Sequence, residues 1–245
     1  MLERLRGVLR RDLSSIEKAQ KIASELPESK ENWSVNKKGL GIVGDSGGGK
    51  TTIANILAEI YDIPETRNFK IGEILRKLSE TEKSAGFVHR DPLFDKMVDD
   101  LQIELITNAA SKEPFILEGR RAGLILNQER AKNPLLGQLV KSVLINVPQE
   151  VAWQRLHDRM PTYSLEEIAK LTTNRALEDK DRWSIIHPEE SETNPYDPNI
   201  FDLVVDARKP IKDVFYDIHN WLVDIKFVEK TEEPMTLENA VIFQA

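Results

Sequence analysis

The stretch Gly44-Asp45-Ser46-Gly47-Gly48-Gly49-Lys50-Thr51 fits G-x-x-x-x-G-K-[ST], a spacing suited to holding phosphate. Glycines let the backbone approach a ligand closely and adopt φ > 0, so successive N–H groups can wrap around the β-phosphate of a nucleoside triphosphate. In that reading Lys50 reaches the β- and γ-phosphates. The Thr51 hydroxyl, with Thr52 beside it, sits at the Mg²⁺ position. The flanks agree: Leu40-Gly41-Ile42-Val43 is the short apolar run of a buried parallel strand, and Ile53, Ile56, Leu57 and Ile60 recur at helical spacing.

Binding alone does not separate the classes of phosphate-handling protein; the second substrate does. A switch GTPase needs Asp-x-x-Gly after its third strand and a guanine-reading Asn-Lys-x-Asp, and neither is present. A motor-type ATPase usually needs a longer chain and an acidic pair closing a strand. Here Glu118 is the lone acid closing Phe115-Ile116-Leu117, and Gly119 and Arg120 follow it. That arrangement suggests a small anionic acceptor beside the triphosphate. Phosphoryl transfer spreads charge over equatorial oxygens, and converging arginines grip such oxygens bidentately. The candidates are Arg76, Arg120, Arg175 and Arg182. Arg175 and Arg182 are seven residues apart, so they share a helix face, with Asp179 about one turn from each. Such a face can swing over a triphosphate as a lid. The same spacing also fits a solvated salt-bridge face, and Arg120 also fits a helix-cap or surface arginine.

The elements that must position these residues alternate along the chain. Strands are expected at Leu40–Val43, Arg67–Lys70, Phe115–Leu117, Ser142–Val147 and Phe201–Asp206. Helices are expected after the glycine-rich loop, at Ile71–Leu78, from Pro92 (capped by Asp91) to about Asn108, at Gln149–Arg159, Ser164–His187 and Ile211–Val223. Glu80 to Arg90 reads as a polar loop. The pattern predicts an α/β protein with a three-layer P-loop NTPase fold, its five-stranded parallel sheet covered by helices and its ligands at the carboxyl ends of the strands. Three units are expected: an N-terminal helical extension and linker (1–38), the P-loop domain (39–224, lid about 160–187) and a tail (225–245).

The N-terminal segment repeats Leu2, Leu5, Val8, Leu9, Leu13, Ile16, Ile22 and Leu26 mostly at three- and four-residue spacing. Ser14 to Glu17 reads as a capping box there. It can pack on the core, pair with another copy in a homo-oligomer, or touch an acidic surface. Pro27 to Lys38 reads as a polar linker.

The chain has 245 residues, 40% hydrophobic and 31% charged, with no cysteine and a net charge of −7. No disulfide or thiolate metal site is possible, and the acidic balance argues against nucleic acid as the main partner. No apolar run reaches the roughly 20 residues of a membrane span, and the first residues lead into no apolar leader core. A cytoplasmic protein with no membrane partner is the expectation. The four histidines show no metal-binding spacing.

Several motifs also resemble those of cytidylate kinases, the archaeal type above all. Ile71-Gly72-Glu73-Ile74-Leu75-Arg76 is similar to that family's Ser-x-Gly-Glu-Ile-Phe-Arg helix. Phe115 to Gly123 resembles Val-Val-Glu-Gly-Arg-Leu-Ala-Gly, and Asp91-Pro92-Leu93-Phe94-Asp95 resembles Asp-Pro-Glu-Ile-Asp. Arg175 to Trp183 is similar to the lid helix, and Phe201 to Asp206 to the last strand. The resemblance covers about Gly39 to Val223. It implies transfer of the ATP γ-phosphoryl group to a CMP- or dCMP-like nucleoside monophosphate. It implies a donor site of Gly44, Asp45, Ser46, Gly47, Gly48, Gly49, Lys50, Thr51 and Thr52, with Arg155 or Arg159 flanking the base and Mg²⁺ on Thr51. Gly72, Arg76, Glu118, Gly119, Arg120 and Asp179 would line the acceptor site, and Lys50, Arg120, Arg175 and Arg182 would hold the transferring group. Lys70 and Ile71 depart from the family near the acceptor base. Two alternatives stand beside it: a P-loop kinase of another small acceptor, with Glu118 as base for a hydroxyl, and a nucleotide-dependent binding or regulatory module.

Overall fold

The computed structural model describes residues 13–78, 92–109, 113–190 and 193–231. Its strands are β1 (Asn32–Val35), β2 (Gly39–Gly44), β3 (Asn68–Lys70), β4 (Phe115–Glu118), β5 (Val140–Asn146), β6 (Leu203–Asp206) and β7 (Val228–Thr231). Its helices are α1 (Leu13–Ser24), α2 (Lys50–Ile60), α3 (Ile71–Leu78), α4 (Pro92–Thr107), α5 (Ala122–Lys132), the single turn α6 (Leu136–Leu139), α7 (Gln149–Arg159), α8 (Leu165–Ile186) and α9 (Ile211–Asp224).

Five strands form one parallel sheet in the order β3-β4-β2-β5-β6. β2 lies at its centre, with Gly39 level with both Phe115 and Val140. Because side chains alternate along a strand, neighbouring residues serve opposite layers. Leu40, Ile42, Ile116, Val143 and Ile145 pack with α2, α9 and α1, whereas Val43, Leu117 and Leu144 pack with α4 and α5. The result is the three-layer P-loop NTPase architecture, and it puts the ends of β2 and β4 side by side at one edge of the sheet. No helix among the described residues is long and apolar enough to cross a membrane.

Several stretches differ from the sequence expectation, among them β5 (Val140–Asn146) and β6 (Leu203–Asp206), whose bounds move by one or two residues. The expected polar linker carries a 3₁₀ turn (Pro27–Lys30) and β1, which pairs antiparallel with β7 beyond the last expected helix. Trp33 and Val35 turn inward against the core that holds Phe215 and Ile218, an alternation too short to stand out among polar neighbours. Between Arg120 and β5, where no element was expected, α5 forms. Ala122, Gly123, Leu124, Ile125 and Leu126 are consecutive and all buried, so the first half of that helix has no polar face to betray its period. The edge strand β3 begins at Asn68, because Glu65–Arg67 close a 3₁₀ turn.

The N-terminal helix packs on its own chain. Ala19 and Ala23 of α1 and Leu26 are buried in the core with Ile53, Ile56 and Leu57 of α2. The side chains of the expected cap at Ser14, together with residues 1–12, Asp91 and the loop 80–90, lie outside the described residues.

Candidate functional site

The glycine-rich loop leaves β2 at Gly44 and enters α2 at Lys50. Its shape requires glycine at three points, the first being Gly44, where a Cβ would stand 2.5 Å from the Ile145 carbonyl oxygen. Gly47 has φ +81, and a Cβ there would stand 2.5 Å from the Ala152 carbonyl oxygen; Gly49 caps α2 with φ +93. Inside the loop, the Gly48 N–H donates to the Asp45 carbonyl at 3.2 Å and the Ser46 N–H to Asp45 Oδ1 at 2.7 Å. Thr51 and Thr52 occupy the first turn of α2, whose unpaired N–H groups and positive dipole end favour an anion.

The loop faces the end of β4. Lys50 Nζ donates to the Asp45 carbonyl at 2.9 Å and lies 3.8 Å from Glu118 Oε1; the Thr51 hydroxyl donates to Glu118 Oε2 at 3.2 Å. Burial pushes the Lys50 ammonium below its ordinary pKa; Glu118 pulls it back up, while Arg120 pushes it further down. Next along the chain, Arg120 spans three elements. One nitrogen donates to Ser46 Oγ at 2.9 Å and lies 3.2 Å from Asp45 Oδ1, and the other is hydrogen-bonded to Asp179 of α8. Burial alone would lower the Arg120 pKa, but Tyr196, Asp179 and Asp45 outweigh it and leave it raised.

Helix α8 starts at a complete capping box: Ser164 Oγ accepts from the Glu167 N–H while the Glu167 carboxylate accepts from the Ser164 N–H. One face carries Arg175, Asp179 and Arg182. Asp179, only 1% exposed, takes hydrogen bonds from Arg120 and Arg182, and Arg175 Nε lies 3.9 Å away. Arg182 Nε also donates to Asp95 of α4 at 2.7 Å. The solvated-face alternative therefore fails for Asp179 and Arg182, which are both buried. The four cations Lys50, Arg120, Arg175 and Arg182 meet the four carboxylates Asp45, Asp95, Glu118 and Asp179. Arg182 Nη1 remains buried without a hydrogen bond, with Glu178 at 4.0 Å.

The other expected site residues are placed as follows. Gly119 is buried directly after β4 and its N–H donates to the Ile42 carbonyl; Gly72 lies in the first turn of α3. Arg76 is on α3, but its side chain lies outside what is described. Arg155 donates to the Ala207 carbonyl at 2.6 Å, just past β6, and Arg159 is exposed at the end of α7. Asp95 and Tyr196 joined the site without a sequence role. So did a neighbouring cluster in which Asp99 holds Gln102, Arg121 and His187, and Glu190 holds Arg121 and Gln128. His187, Glu189 and Glu190 bring their ligand atoms within 4.8 Å of one another. Two of the three are already engaged, His187 by Asp99 and Glu190 by Arg121 and Gln128.

The residues fit a triphosphate and its cation. The loop is glycine where a Cβ would collide, Arg182 offers a buried free donor, and Thr51 with Glu118 supplies the oxygen ligands a hard divalent ion prefers.

No protein-family model matches this chain, and neither does any curated protein. Among solved structures, an uncharacterized protein from Eubacterium ventriosum ATCC 27560 is 19% identical with a TM-score of 0.52, over 76% of this chain and 99% of that one. That likeness shows the shared fold. Shikimate kinase from Bacteroides thetaiotaomicron is 14% identical (TM-score 0.42; 77% of this chain, 98% of that one). Deoxyadenosine kinase from M. mycoides with bound dCTP is also 14% identical (TM-score 0.37; 76% and 99%).

Proposed function

We infer that this protein is a P-loop kinase that moves the γ-phosphoryl group of ATP to a nucleoside monophosphate of the CMP or dCMP type. The observation that carries the reading is Arg120, which joins the phosphate loop (Asp45, Ser46), the end of β4 and the lid helix (Asp179) in one set of contacts. A guanidinium in that position can bridge a donor phosphate and an acceptor phosphate. The loop N–H groups and Lys50 hold the donor, and Thr51 holds Mg²⁺, which neutralises phosphate charge when bound. Arg175 and Arg182 neutralise the transferring group from the lid side. As phosphate oxygens arrive, they replace Asp179 and Asp95 as partners of these arginines, so the cations are oriented before the substrates bind. The acceptor already carries an anionic oxygen, so no general base is required.

A second reading rests on Glu118. Its side chain is 9% exposed, lies 3.8 Å from Lys50 and closes β4 beside the site, where it can take a proton from a hydroxyl acceptor. ADP formation with ATP and Mg²⁺, screened against CMP, dCMP, UMP, AMP, GMP, sugar and nucleoside hydroxyl acceptors and no acceptor, separates the two. Stimulation by CMP or dCMP supports the first reading, and stimulation by a hydroxyl compound alone supports the second. Turnover indifferent to every acceptor would overturn both in favour of a nucleotide-dependent regulatory module.

A further inference from the structure

Among the described residues His219 of α9 is the only buried histidine, 5% exposed. It stands in an aromatic box. Trp33 of β1 meets it edge-on, with ring centroids 4.8 Å apart. Phe215 of α9 and Tyr61 at the end of α2 lie nearly parallel to it, at 5.4 and 6.1 Å. The Tyr61 hydroxyl and His219 Nδ1 share a hydrogen bond of 2.8 Å.

This pair has no place for another proton. A neutral imidazole and a phenol offer one N–H and one O–H against one ring nitrogen and one oxygen. Protonation adds a second N–H and removes the ring acceptor, whichever tautomer was present. The His219 side chain makes no other hydrogen bond among the described residues. Burial holds its pKa below the ordinary histidine value, outweighing Glu28 and Glu31, which pull it up. These two and Tyr61 are the titratable groups that face it. Both carboxylates are engaged elsewhere: Glu28 accepts from the Tyr216 hydroxyl of α9 at 3.3 Å, and Glu31 pairs with Lys230 of β7 at 2.7 Å. Burial raises the Tyr61 pKa, so the phenol keeps its proton.

Only one wall of the box can leave cheaply. Phe215 shares the helix of His219, and Tyr61 ends the helix that begins at the phosphate loop; both are buried in the main core. Trp33 is partly buried and belongs to β1, four residues bonded to β7 alone, outside the five-stranded sheet. Its Nε1 donates to the Glu28 carbonyl at 3.1 Å, so the preceding 3₁₀ turn moves with it.

We propose that His219 makes the β1–β7 ribbon open in acid: lifting Trp33 admits water to the charged ring while the parallel sheet stays folded. The closed form favours the neutral ring. Closure is therefore strongest above the ordinary histidine range, about pH 6.5, and weakens as pH falls through it.

Hydrogen exchange of the full chain, read by mass spectrometry on peptides spanning 32–35 and 228–231 and corrected for chemical exchange rates, tests this. From pH 7.5 to 5.5 the opening constant of the ribbon should rise about tenfold, the ratio of charged to neutral imidazole one unit below its ordinary pKa. His219→Gln never charges and still accepts from Tyr61, so it should lose the response. The double variant His219→Phe, Tyr61→Phe removes both polar groups and should lose it too. A rise of less than about twofold in the native chain, or the full rise in either variant, would overturn the proposal. So would ribbon peptides that exchange no faster than those of β2 at pH 5.5, because the whole fold would then be opening.

Discussion

The phosphate loop and the lid face meet at Arg120, yet they are built from different materials. The loop is backbone: its form comes from left-handed glycines and from the loop's own N–H groups, two of which donate to Asp45. The lid face is side chain: its form comes from Asp179 and Asp95, which hold three arginines in place. A backbone cradle keeps its form when one side chain is lost, whereas a carboxylate-centred cluster does not. Chemistry and stability should therefore separate between the two regions.

Lys50→Ala gives the largest expected effect. It should reduce phosphoryl transfer by about 10²–10³-fold or more, the scale of losing one charge-stabilising donor, with circular dichroism and the melting temperature nearly unchanged. Asp179→Asn should do the reverse. It strips a buried counter-charge from Arg120 and Arg182 and should destabilise the fold by about 3–5 kcal/mol in urea unfolding. Inorganic triphosphate should restore part of that stability, since its oxygens replace the lost carboxylate; no rescue would mean that the arginines do not face phosphate. Arg120→Ala belongs to both regions. It should lower kcat/KM for the acceptor by about 10–100-fold, from the loss of a charged hydrogen-bond set of roughly 1.5–3 kcal/mol, and raise KM for ATP less. Equal effects on both substrates would remove Arg120 from the acceptor side. The smallest effect is at the start of the lid. Ser164→Ala breaks the capping box and should cost about 1 kcal/mol, read as earlier proteolysis near residue 164 with little change in kcat.

The legibility of the sequence follows the same division. The phosphate loop could be read because its chemistry is local: eight consecutive residues, an apolar strand before them and a periodic helix after. Arg175, Asp179 and Arg182 could be aligned on one face by spacing alone. Whether that face met solvent or the interior depended on Asp95, 87 residues before its partner Arg182, and no local pattern carries that information. Tyr196 was invisible for the same reason. Helix α5 was hidden by being buried on every side of its first turns, and β1 by brevity. The resemblance offers Arg155 or Arg159 as the base-flanking residue, and only the fold brings Arg155 to the Ala207 carbonyl just past β6.

The β1–β7 ribbon has a kinetic consequence. It joins Asn32 to Thr231 and Val35 to Val228, pairs separated by nearly the whole described chain. Contacts of such long range are reached only after most of the intervening loop entropy has been spent, and they raise the mean contact order of the fold. The ribbon is also two short strands outside the main sheet. It should therefore close last during folding and open first under native conditions, as a latch of low local stability whose opening leaves the parallel sheet and its phosphate loop intact.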